Sequence, residues 1–314
     1  MAAARFWRWL IVGELGCAAV LAWLVTAAYP SSRTAVVLLA MLMTPFALHL
    51  TVAGASSVVA RLQLTPSQRG PWTEMIRAWL SETIASEWAM LVMSIEPWLR
   101  RGRHAGVANS PDRGRPVLLI HGIVCNRAVW RPLANALRKE GFGPIRAVNL
   151  EPLFADIDTH AQYVANEVRR LRQECNDARV ALVTHSMGGL VARAALRQAG
   201  PEDISHIVTL AAPHHGTSFA RLAGFRPCQQ MRPDSTWLAT LNSEQEGRFP
   251  VPISSICSLD DNLVAPAASA RLAGADLFEL RGIGHLSLLT ARESIECALA
   301  ALSQSRIGQQ PCPT

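Results

Sequence analysis

The feature that most constrains the fold of this chain is a short apolar strand that runs directly into a helix. It covers residues 180–193, VALVTHSMGGLVAR, with Ser186 at the junction. Gly188 and Gly189 follow the serine, so little side-chain bulk opposes a sharp turn. Such a turn strains the backbone and raises a serine hydroxyl above the sheet, the geometry called a nucleophile elbow. The alternative is a buried serine in an ordinary strand, turn and helix.

The rest of the second half alternates short apolar strands with helical segments. The predicted strands are 116–120, 145–150, 180–184, 204–210, 251–257 and 276–280, and the predicted helices are 130–140, 159–174, 188–198 and 286–302. Strands that alternate with helices pair in parallel and carry helices on both faces. The predicted fold class is therefore α/β, with a mostly parallel sheet of about six strands flanked by helices.

Later strands supply the partners that a nucleophilic serine needs. These partners are a histidine base and an acid that orients it, and in this architecture the acid and then the histidine follow the serine, each after a later strand. Asp260 and Asp261 follow one predicted strand, and His285 follows the next. We therefore predict a triad of Ser186, His285 and one of these two aspartates.

Two backbone N–H groups are candidates for an oxyanion hole. Met187 directly follows the serine, and Ile123 lies in the loop after the first predicted strand, where such donors are expected. His121 opens that loop, a place that suits a residue fixing the turn.

Residues 116–302 resemble an α/β-hydrolase and are similar to the compact bacterial lipases and esterases. The matching motifs are LLIHGIVCNRAVW, THSMGGLVAR, LAAPHHGT, SLDDNLVAP and GIGHLSLL. The resemblance implies that Ser186 is the nucleophile, His285 the base and Asp261 the acid, since the family's acid commonly reads D-x-x-V. Asp260 is the alternative acid.

The resemblance also implies the oxyanion positions and a cap. The oxyanion positions of the family correspond to Ile123 and Met187, and the cap segment to residues 218–248. Candidates for substrate contact are His121, His214, Phe219, Leu222 and Trp237. Thr184 replaces a glycine of the family pattern, so we expect slightly looser packing there.

A metal site is the alternative interpretation of the adjacent histidines His214 and His215. No H-E-x-x-H motif or carboxylate cluster accompanies them. The resemblance makes them a loop beside the active site. We therefore expect neither a metal nor an organic cofactor.

The first hundred residues are far more apolar than the rest and hold seven of the nine tryptophans. Residues 9–28 and 34–60 form two apolar runs, each long enough to cross a hydrocarbon core. We expect Glu14 in the first run to lie near an interface or against the partner helix, and His49 in the second to be packed. The prediction is a transmembrane hairpin over residues 1–62; a cleaved signal peptide ending near residue 27, followed by one span, is the alternative.

Arginines flank the two runs asymmetrically. Two precede the first run, only Arg33 lies between the runs, and Arg61, Arg69 and Arg77 follow the second. By the positive-inside rule, this bias predicts a multi-pass protein of a bacterial-type inner membrane, with both ends and the catalytic part on the cytoplasmic face.

Residues 63–115 are predicted to join the two parts. Apolar residues recur at helical spacing over 71–99, with Glu82 among the polar residues, and this helix either lies in the membrane interface or packs on the second domain. Residues 102–115 form a linker whose arginines face anionic lipid or are simply solvated. The domains are thus 1–62, 63–115 and 116–304, with a tail at 305–314.

Composition excludes some functions. The net charge of +6 is carried almost wholly by arginine, but the second half has no basic helix and no aromatic residues among basic ones, so nucleic acid is not an expected partner. Seven cysteines without a CxxC pair indicate neither zinc nor a dense disulfide framework. A single disulfide bridge, for example between Cys228 and Cys257, is the alternative.

The predicted function is a membrane-anchored serine hydrolase that cleaves carboxylic esters, with lipid or acyl esters as substrates and membrane lipids as neighbours. An acyltransferase or thioesterase would use the same triad. A catalytically silent, membrane-tethered binding protein is the alternative from another class. Sequence leaves the acyl chain length, the alcohol part and the oligomeric state open.

Overall fold

A computed structural model describes residues 2–28, 33–99, 115–245 and 248–304 of the 314-residue chain. The linker predicted before Arg115, most of its arginines and the tail 305–314 lie outside these described residues.

Four helices come first along the chain. They are α1 (Ala2–Ala28), α2 (Arg33–Leu62), α3 (Trp72–Ser94) and the short α4 (Glu96–Leu99). α1 packs along α2, and α3 packs against both. Within the described residues, Ala2–Ala28 and Thr34–Leu62 are long and apolar enough to cross a membrane, judged by length and composition. Two such apolar helices fit the predicted hairpin.

A polar cluster joins these helices inside an apolar surrounding. Glu14 of α1 is buried, with Oε1 3.2 Å from His49 Nε2 of α2. The other ring nitrogen of His49 lies 2.9 Å from Ser86 Oγ of α3. The expectations that Glu14 packs against the partner helix and that His49 is packed are therefore confirmed.

Six parallel strands form one sheet. They are β1 (Val117–Ile120), β2 (Ile145–Ala147), β3 (Val180–His185), β4 (Ile204–Leu210), β5 (Ile253–Ser258) and β6 (Asp276–Leu280), in the spatial order β2-β1-β3-β4-β5-β6. The predicted α/β class with about six parallel strands is thereby confirmed. β3 and β4 lie at the centre, where parallel strands are buried on both faces.

Helices cover both faces of this sheet. They are α5 (Arg131–Lys139), α6 (Ile157–Glu174), α7 (Met187–Ala199) and α10 (Arg292–Gln304), while the shorter α8 (Arg226–Gln230) and α9 (Thr236–Gln245) lie between β4 and β5 in the chain. The prediction of one helix over 286–302 is wrong in its first turns: residues 287–289 form a separate 3-10 turn, and α10 begins at Arg292. Leu289 N and Thr290 N donate three residues back, to Leu286 O and Ser287 O at 3.0 Å, which is the 3-10 pattern, while the N–H groups of Leu286 and Ser287 bind a side chain of α3.

Alternate strand residues feed two cores. Leu118 and Leu182 point into a core with α6 and α7, whereas Leu119 and Val183 point into a core with α5 and α10. Met93 of α3 is fully buried in the second core. Burying one such side chain stabilises the fold by about 1.5–3 kcal/mol. Of the two alternatives for residues 71–99, packing on the second domain is therefore the one that the structure shows.

α3 nevertheless keeps a second apolar face in the open. Its exposed large apolar residues are Trp72, Ile76, Leu80, Ile84 and Leu91. The first four recur every four residues, so they lie along one side of the helix. Glu82, which helical spacing groups with the polar residues, is nevertheless buried.

Candidate active site

Ser186 occupies a strained turn between β3 and α7. Its backbone angles are φ 56° and ψ −129°, in a region that non-glycine residues rarely adopt and that costs on the order of 1–3 kcal/mol. Ser186 N donates to Leu210 O at 2.9 Å, and Gly189 N donates to Ser186 O at 2.9 Å. These bonds to the neighbouring strand and to the first helical turn hold the strain in place.

Two glycines allow the surrounding backbone to approach this turn. A Cβ on Gly188 would lie 2.4 Å from Ile120 O and 2.8 Å from His121 O. A Cβ on Gly122 would lie 2.8 Å from Ser186 Cβ. The turn and the loop after β1 therefore meet closely only because both positions lack a side chain.

Thr184, the departure from the family pattern, is accommodated without a gap. Its side chain is fully buried, and its hydroxyl donates to Val208 O of β4 at 3.3 Å. The looser packing that we expected there is not seen, since the hydroxyl finds a partner in the adjacent strand.

Asp261 and His285 form a buried pair. His285 Nδ1 lies 2.9 Å from Asp261 Oδ2 and 3.1 Å from Oδ1. The N–H groups of Leu263 and Val264 both donate to Asp261 Oδ1 at 2.8 Å. Because a carboxylate accepts, the proton of the neutral imidazole is assigned to Nδ1, which leaves Nε2 as the basic nitrogen.

Asp260, the alternative acid, has a different partner. Its Oδ2 accepts from Gly282 N at 2.7 Å. Asn262, which sequence reasoning did not single out, accepts from His285 N at 3.0 Å through Oδ1. Of these three consecutive residues, Asp261 contacts the imidazole, whereas Asp260 and Asn262 bind the backbone of its loop.

The histidine lies beside the serine turn. The rings of His185 and His285 have centroids 4.7 Å apart, and His185 Nε2 donates to His285 O at 3.1 Å. His185 immediately precedes Ser186 in the chain. Among the described residues, no hydrogen bond joins Ser186 Oγ to His285 Nε2. Such bonds are often long without substrate and shorten in the reacting complex.

The charge on His285 is set by opposing influences. Burial by itself lowers the pKa of the imidazole, but the charge and hydrogen bond of Asp261, with a further contribution from the charge of Glu82, raise the pKa above its ordinary 6.5. For His185, burial and the charge of His285 lower the pKa well below 6.5. The site therefore combines one histidine that takes a proton readily with one that stays neutral.

The predicted oxyanion donors have free N–H groups. Neither Ile123 N nor Met187 N donates a hydrogen bond within the part of the chain that the structure describes. Met187 opens α7, where the helix dipole adds positive potential. Val124, next to Ile123, has φ 58°.

His121 fixes the loop after β1. Its Nε2 accepts from Leu150 N at 3.0 Å, and its Nδ1 donates to Gly122 O at 2.8 Å. Burial is the main cause that lowers the pKa of His121 to about 4, so the ring is neutral at pH 7. The predicted role of His121 in the turn agrees with these contacts.

The predicted cap comprises the 3-10 turn Ser218–Leu222 together with α8 and α9. Leu222 is 82% exposed, and Phe219 is half-buried. Trp237 Nε1 donates to Asp158 Oδ2 at 2.6 Å, which ties α9 to α6. Residues 246 and 247 of the cap lie outside the described residues.

His214 is enclosed beneath the cap. Its Nε2 lies 3.2 Å from Thr209 Oγ1, and its Nδ1 lies 3.5 Å from Arg193 Nη1. Arg193, a residue that sequence reasoning missed, is buried and binds Asn242 and Gln245 of α9 at 2.9 and 2.7 Å. Burial lowers the pKa of Arg193 to about 10. No carboxylate lies three or four residues from Arg193 in the sequence, so helical spacing gave no sign that this arginine is buried and paired.

Metal ligands and disulfides are not assembled in the described residues. No group of three or more His, Cys, Asp and Glu side chains there is placed to hold a metal ion. Cys228 and Cys257 are both buried free thiols, which answers the open question of a bridge between them.

Comparison with known proteins identifies one sequence family that matches part of this chain. Residues 112–247 match the sequence family described as PGAP1-like alpha/beta domain, a range that contains Ser186 but ends before Asp261 and His285. No curated protein matches the chain.

Two solved lipases share the fold. The mature lipase BlEst2 of Bacillus licheniformis is 18% identical, with a TM-score of 0.55 over 62% of this chain and 94% of that lipase. Lipase B of Aspergillus fumigatus is 20% identical, with a TM-score of 0.55 over 63% of this chain and 55% of that lipase, so the match spans about half of its length. With the strand order described above, these likenesses show that residues 115–304 have the α/β-hydrolase fold.

Proposed function

We propose that this protein is a serine hydrolase that cleaves carboxylic esters of lipid or acyl type. The observation that carries the proposal is the buried contact of 2.9 Å between Asp261 and His285, beside the strained turn of Ser186. An imidazole with an acid on Nδ1 and a serine near Nε2 is the arrangement that generates an alkoxide-like nucleophile. The two similar lipases carry the same fold, which supports an ester substrate.

The proposed reaction proceeds through an acyl-enzyme. Ser186 Oγ attacks the ester carbonyl as its proton passes to His285 Nε2, and Asp261 stabilises the imidazolium. The N–H groups of Ile123 and Met187 bind the oxyanion. Collapse breaks the ester bond, and His285 protonates the leaving alcohol; a water then attacks by the same route, releases the carboxylic acid and restores the serine.

The apolar surface of the N-terminal helices supports membrane anchoring. Bulky apolar side chains of α1 and α2 point outward, among them Trp9, Trp23, Leu38, Leu39 and Val52. The exposed apolar side chains of α3, among them Trp72 and Ile84, add to the apolar surface of the N-terminal segment. Large exposed apolar patches rimmed by polar residues mark contact sites, and here lipid is the partner that matches two span-length helices.

The placement of the domain on the cytoplasmic face is also a proposal. It follows from the arginines that flank both runs, with only Arg33 between them. Reporter fusions after residue 101 test it in the bacterial inner membrane. A reporter that is active only in the periplasm would overturn the cytoplasmic placement.

The enzyme proposal is tested on the full chain in detergent. Wild type and Ser186→Ala are treated with a fluorophosphonate probe and assayed with nitrophenyl esters of short and medium acyl chains. We expect the wild type to label and to hydrolyse, and Ser186→Ala to do neither. A wild type that neither labels nor hydrolyses any of these esters would refute the enzyme.

A further inference from the structure

A buried carboxylate from the N-terminal segment holds the loop that carries the proposed base. Glu82 of α3 accepts from Leu286 N through Oε1 and from Ser287 N through Oε2, both at 3.0 Å. Ser287 Oγ also lies 3.0 Å from Glu82 Oε2. Three hydrogen bonds therefore fix one carboxylate directly after His285 in the chain.

The loop is shaped to receive this carboxylate. A Cβ on Gly284 would lie 2.6 Å from Glu82 Oε2, so the loop reaches Glu82 only because residue 284 has no side chain. On the same helix, Arg77 Nε donates to Gly282 O at 3.1 Å. α3 thus binds the loop both before and after His285 in the chain.

The other N-terminal helices contact the remaining loops of the site. Asn262 Nδ2 donates to Ser56 Oγ of α2 at 2.9 Å, while the same side chain accepts from His285 N. Trp7 Nε1 of α1 donates to Val124 O, in the proposed oxyanion loop, at 2.7 Å. Each of the three helices therefore bonds to one loop of the proposed active site.

Glu82 also acts on His285 through its charge. Burial is the main cause that raises the pKa of Glu82 above its ordinary 4.5, and the charge of Asp261 adds to it, whereas the positive charge of His285 and the two backbone N–H groups act in the opposite direction. Protonation of the imidazole therefore favours the ionised carboxylate. Two carboxylates therefore act on the imidazole by charge: Asp261, which contacts Nδ1, and Glu82, which binds the next two residues of the loop.

We propose that Glu82 is a positioning residue that holds the His285 loop and supplies a second negative charge to the imidazolium, so that the N-terminal helices belong to the catalytic unit. This inference rests on the proposed serine hydrolase. Its consequence is that the domain from residue 116 onward, cut away from α3, has a misplaced base.

The pH dependence involves every charged group that faces the loop. Asp261 and His185 face the imidazole, Asp260 binds Gly282 N, and Arg77 binds Gly282 O. Two ion pairs lie farther from the ring: Arg281 of the loop with Glu74 at 3.5 Å, and Arg77 with Glu293 at 3.3 Å. Only Glu82 among the N-terminal carboxylates accepts from the backbone of residues 286 and 287 in the described chain. Replacing Glu82 by glutamine therefore removes one negative charge and leaves the others in place.

The test uses full-length Glu82→Gln, with Glu82→Asp and Glu87→Gln as companions. Glu87 is also on α3 but lies 3.6 Å from His49 of α2, so it is the matched control. In Glu82→Gln we expect kcat to fall about ten- to a hundred-fold with KM nearly unchanged, as for loss of a charge-assisted hydrogen bond to a positioned group. The acid limb of kcat/KM moves to lower pH, because the imidazolium loses a stabilising charge.

Glu82→Asp separates the charge from the fit. It keeps the carboxylate but shortens its reach, so we expect a lower kcat with the acid limb near the wild-type position. Glu87→Gln leaves both quantities at wild-type values. Thermal unfolding of each variant in detergent checks that it is folded.

The outcomes distinguish failure of the role proposed for Glu82 from failure of the proposed hydrolase activity. A wild type without labelling or hydrolysis overturns both. An active wild type with an unchanged kcat and pH profile in Glu82→Gln overturns only the role of Glu82, and so does a lower kcat whose acid limb does not move. If Glu82→Gln does not fold, Ser287→Ala decides: losing one of three donors lowers kcat about three-fold, and an unchanged kcat overturns the proposal.

Discussion

Replacing Asp261 by asparagine tests the proposed mechanism most directly. Asp261 Oδ1 already accepts from Leu263 N and Val264 N at 2.8 Å. The single amide oxygen of an asparagine stays with these two donors, and its NH₂ group then faces His285 Nδ1. Since two donors repel, Nδ1 becomes the acceptor and the ring proton moves to Nε2. In that tautomer, Nε2 cannot take the proton of Ser186.

The expected loss is large. A wrong tautomer leaves substrate binding and the oxyanion donors intact but removes the general base, and in a serine protease triad this change costs about 10⁴-fold in kcat. That factor corresponds to about 5.5 kcal/mol of transition-state stabilisation. We therefore expect Asp261→Asn to lower kcat by about three to four orders of magnitude, with a KM within about three-fold of wild type.

Asp260→Asn is the matched control on the adjacent residue. Its Oδ2 accepts one hydrogen bond, from Gly282 N at 2.7 Å, and an amide oxygen can accept the same bond. We expect its kcat to stay within about ten-fold of wild type. The assay is steady-state hydrolysis of nitrophenyl esters, with the folded state checked by circular dichroism. A loss confined to Asp260→Asn would assign the acid to Asp260, and a wild-type kcat in Asp261→Asn would refute the proposed orienting role.

Three further predictions follow from the same geometry. Because the pKa of His285 is raised above 6.5 and the base must be neutral, kcat/KM should rise with pH, and the midpoint of this rise should lie above pH 6.5. The stabilisation that this group gives to the folded state is complete below pH 6.5 and is lost as the pH rises through the folded-state pKa; unfolding measured at several pH values checks this. Gly188→Ala should destabilise the fold by about 2 kcal/mol or more in denaturant titrations, because its Cβ meets carbonyl oxygen at 2.4 Å, whereas Gly224→Ala, with nothing within 4 Å, should change stability by less than about 0.5 kcal/mol. Arg193→Met should cost about 1–3 kcal/mol in the same titration, since two amide side chains of α9 lose their donor; equal stability would show that this contact does not hold the cap.

Much of the domain could be predicted from local sequence. Strands such as β4, where the predicted and observed bounds agree, are short apolar runs, and burial on both faces requires such runs in any parallel sheet. The turn at Ser186 could also be predicted, because an apolar strand followed by a serine and two glycines is typical of a sharp strand-to-helix turn. The catalytic roles of Ser186, Asp261 and His285 stay predictions until the variants are measured.

The choice between Asp260 and Asp261 shows where local information ends. Adjacent aspartates in one loop have the same composition, and only the family resemblance favoured Asp261. Their different partners, Gly282 N and His285 Nδ1, depend on how the ends of β5 and β6 lie side by side. The parallel pairing of β5 with β6 therefore determines which carboxylate contacts the imidazole.

By itself, the sequence determined the two apolar helices, the α/β alternation and the ordered set of serine, acid and histidine, because each depends on periodicity or chain order. Only the tertiary structure shows that α3 packs into the core. It also shows that Glu82, which helical spacing places among several polar residues, is buried against the loop of His285. Helical spacing reports which residues share a face, but it does not report what that face meets. A carboxylate can be buried only where donors from another part of the chain converge on it, and Leu286 and Ser287 lie 204 and 205 residues away.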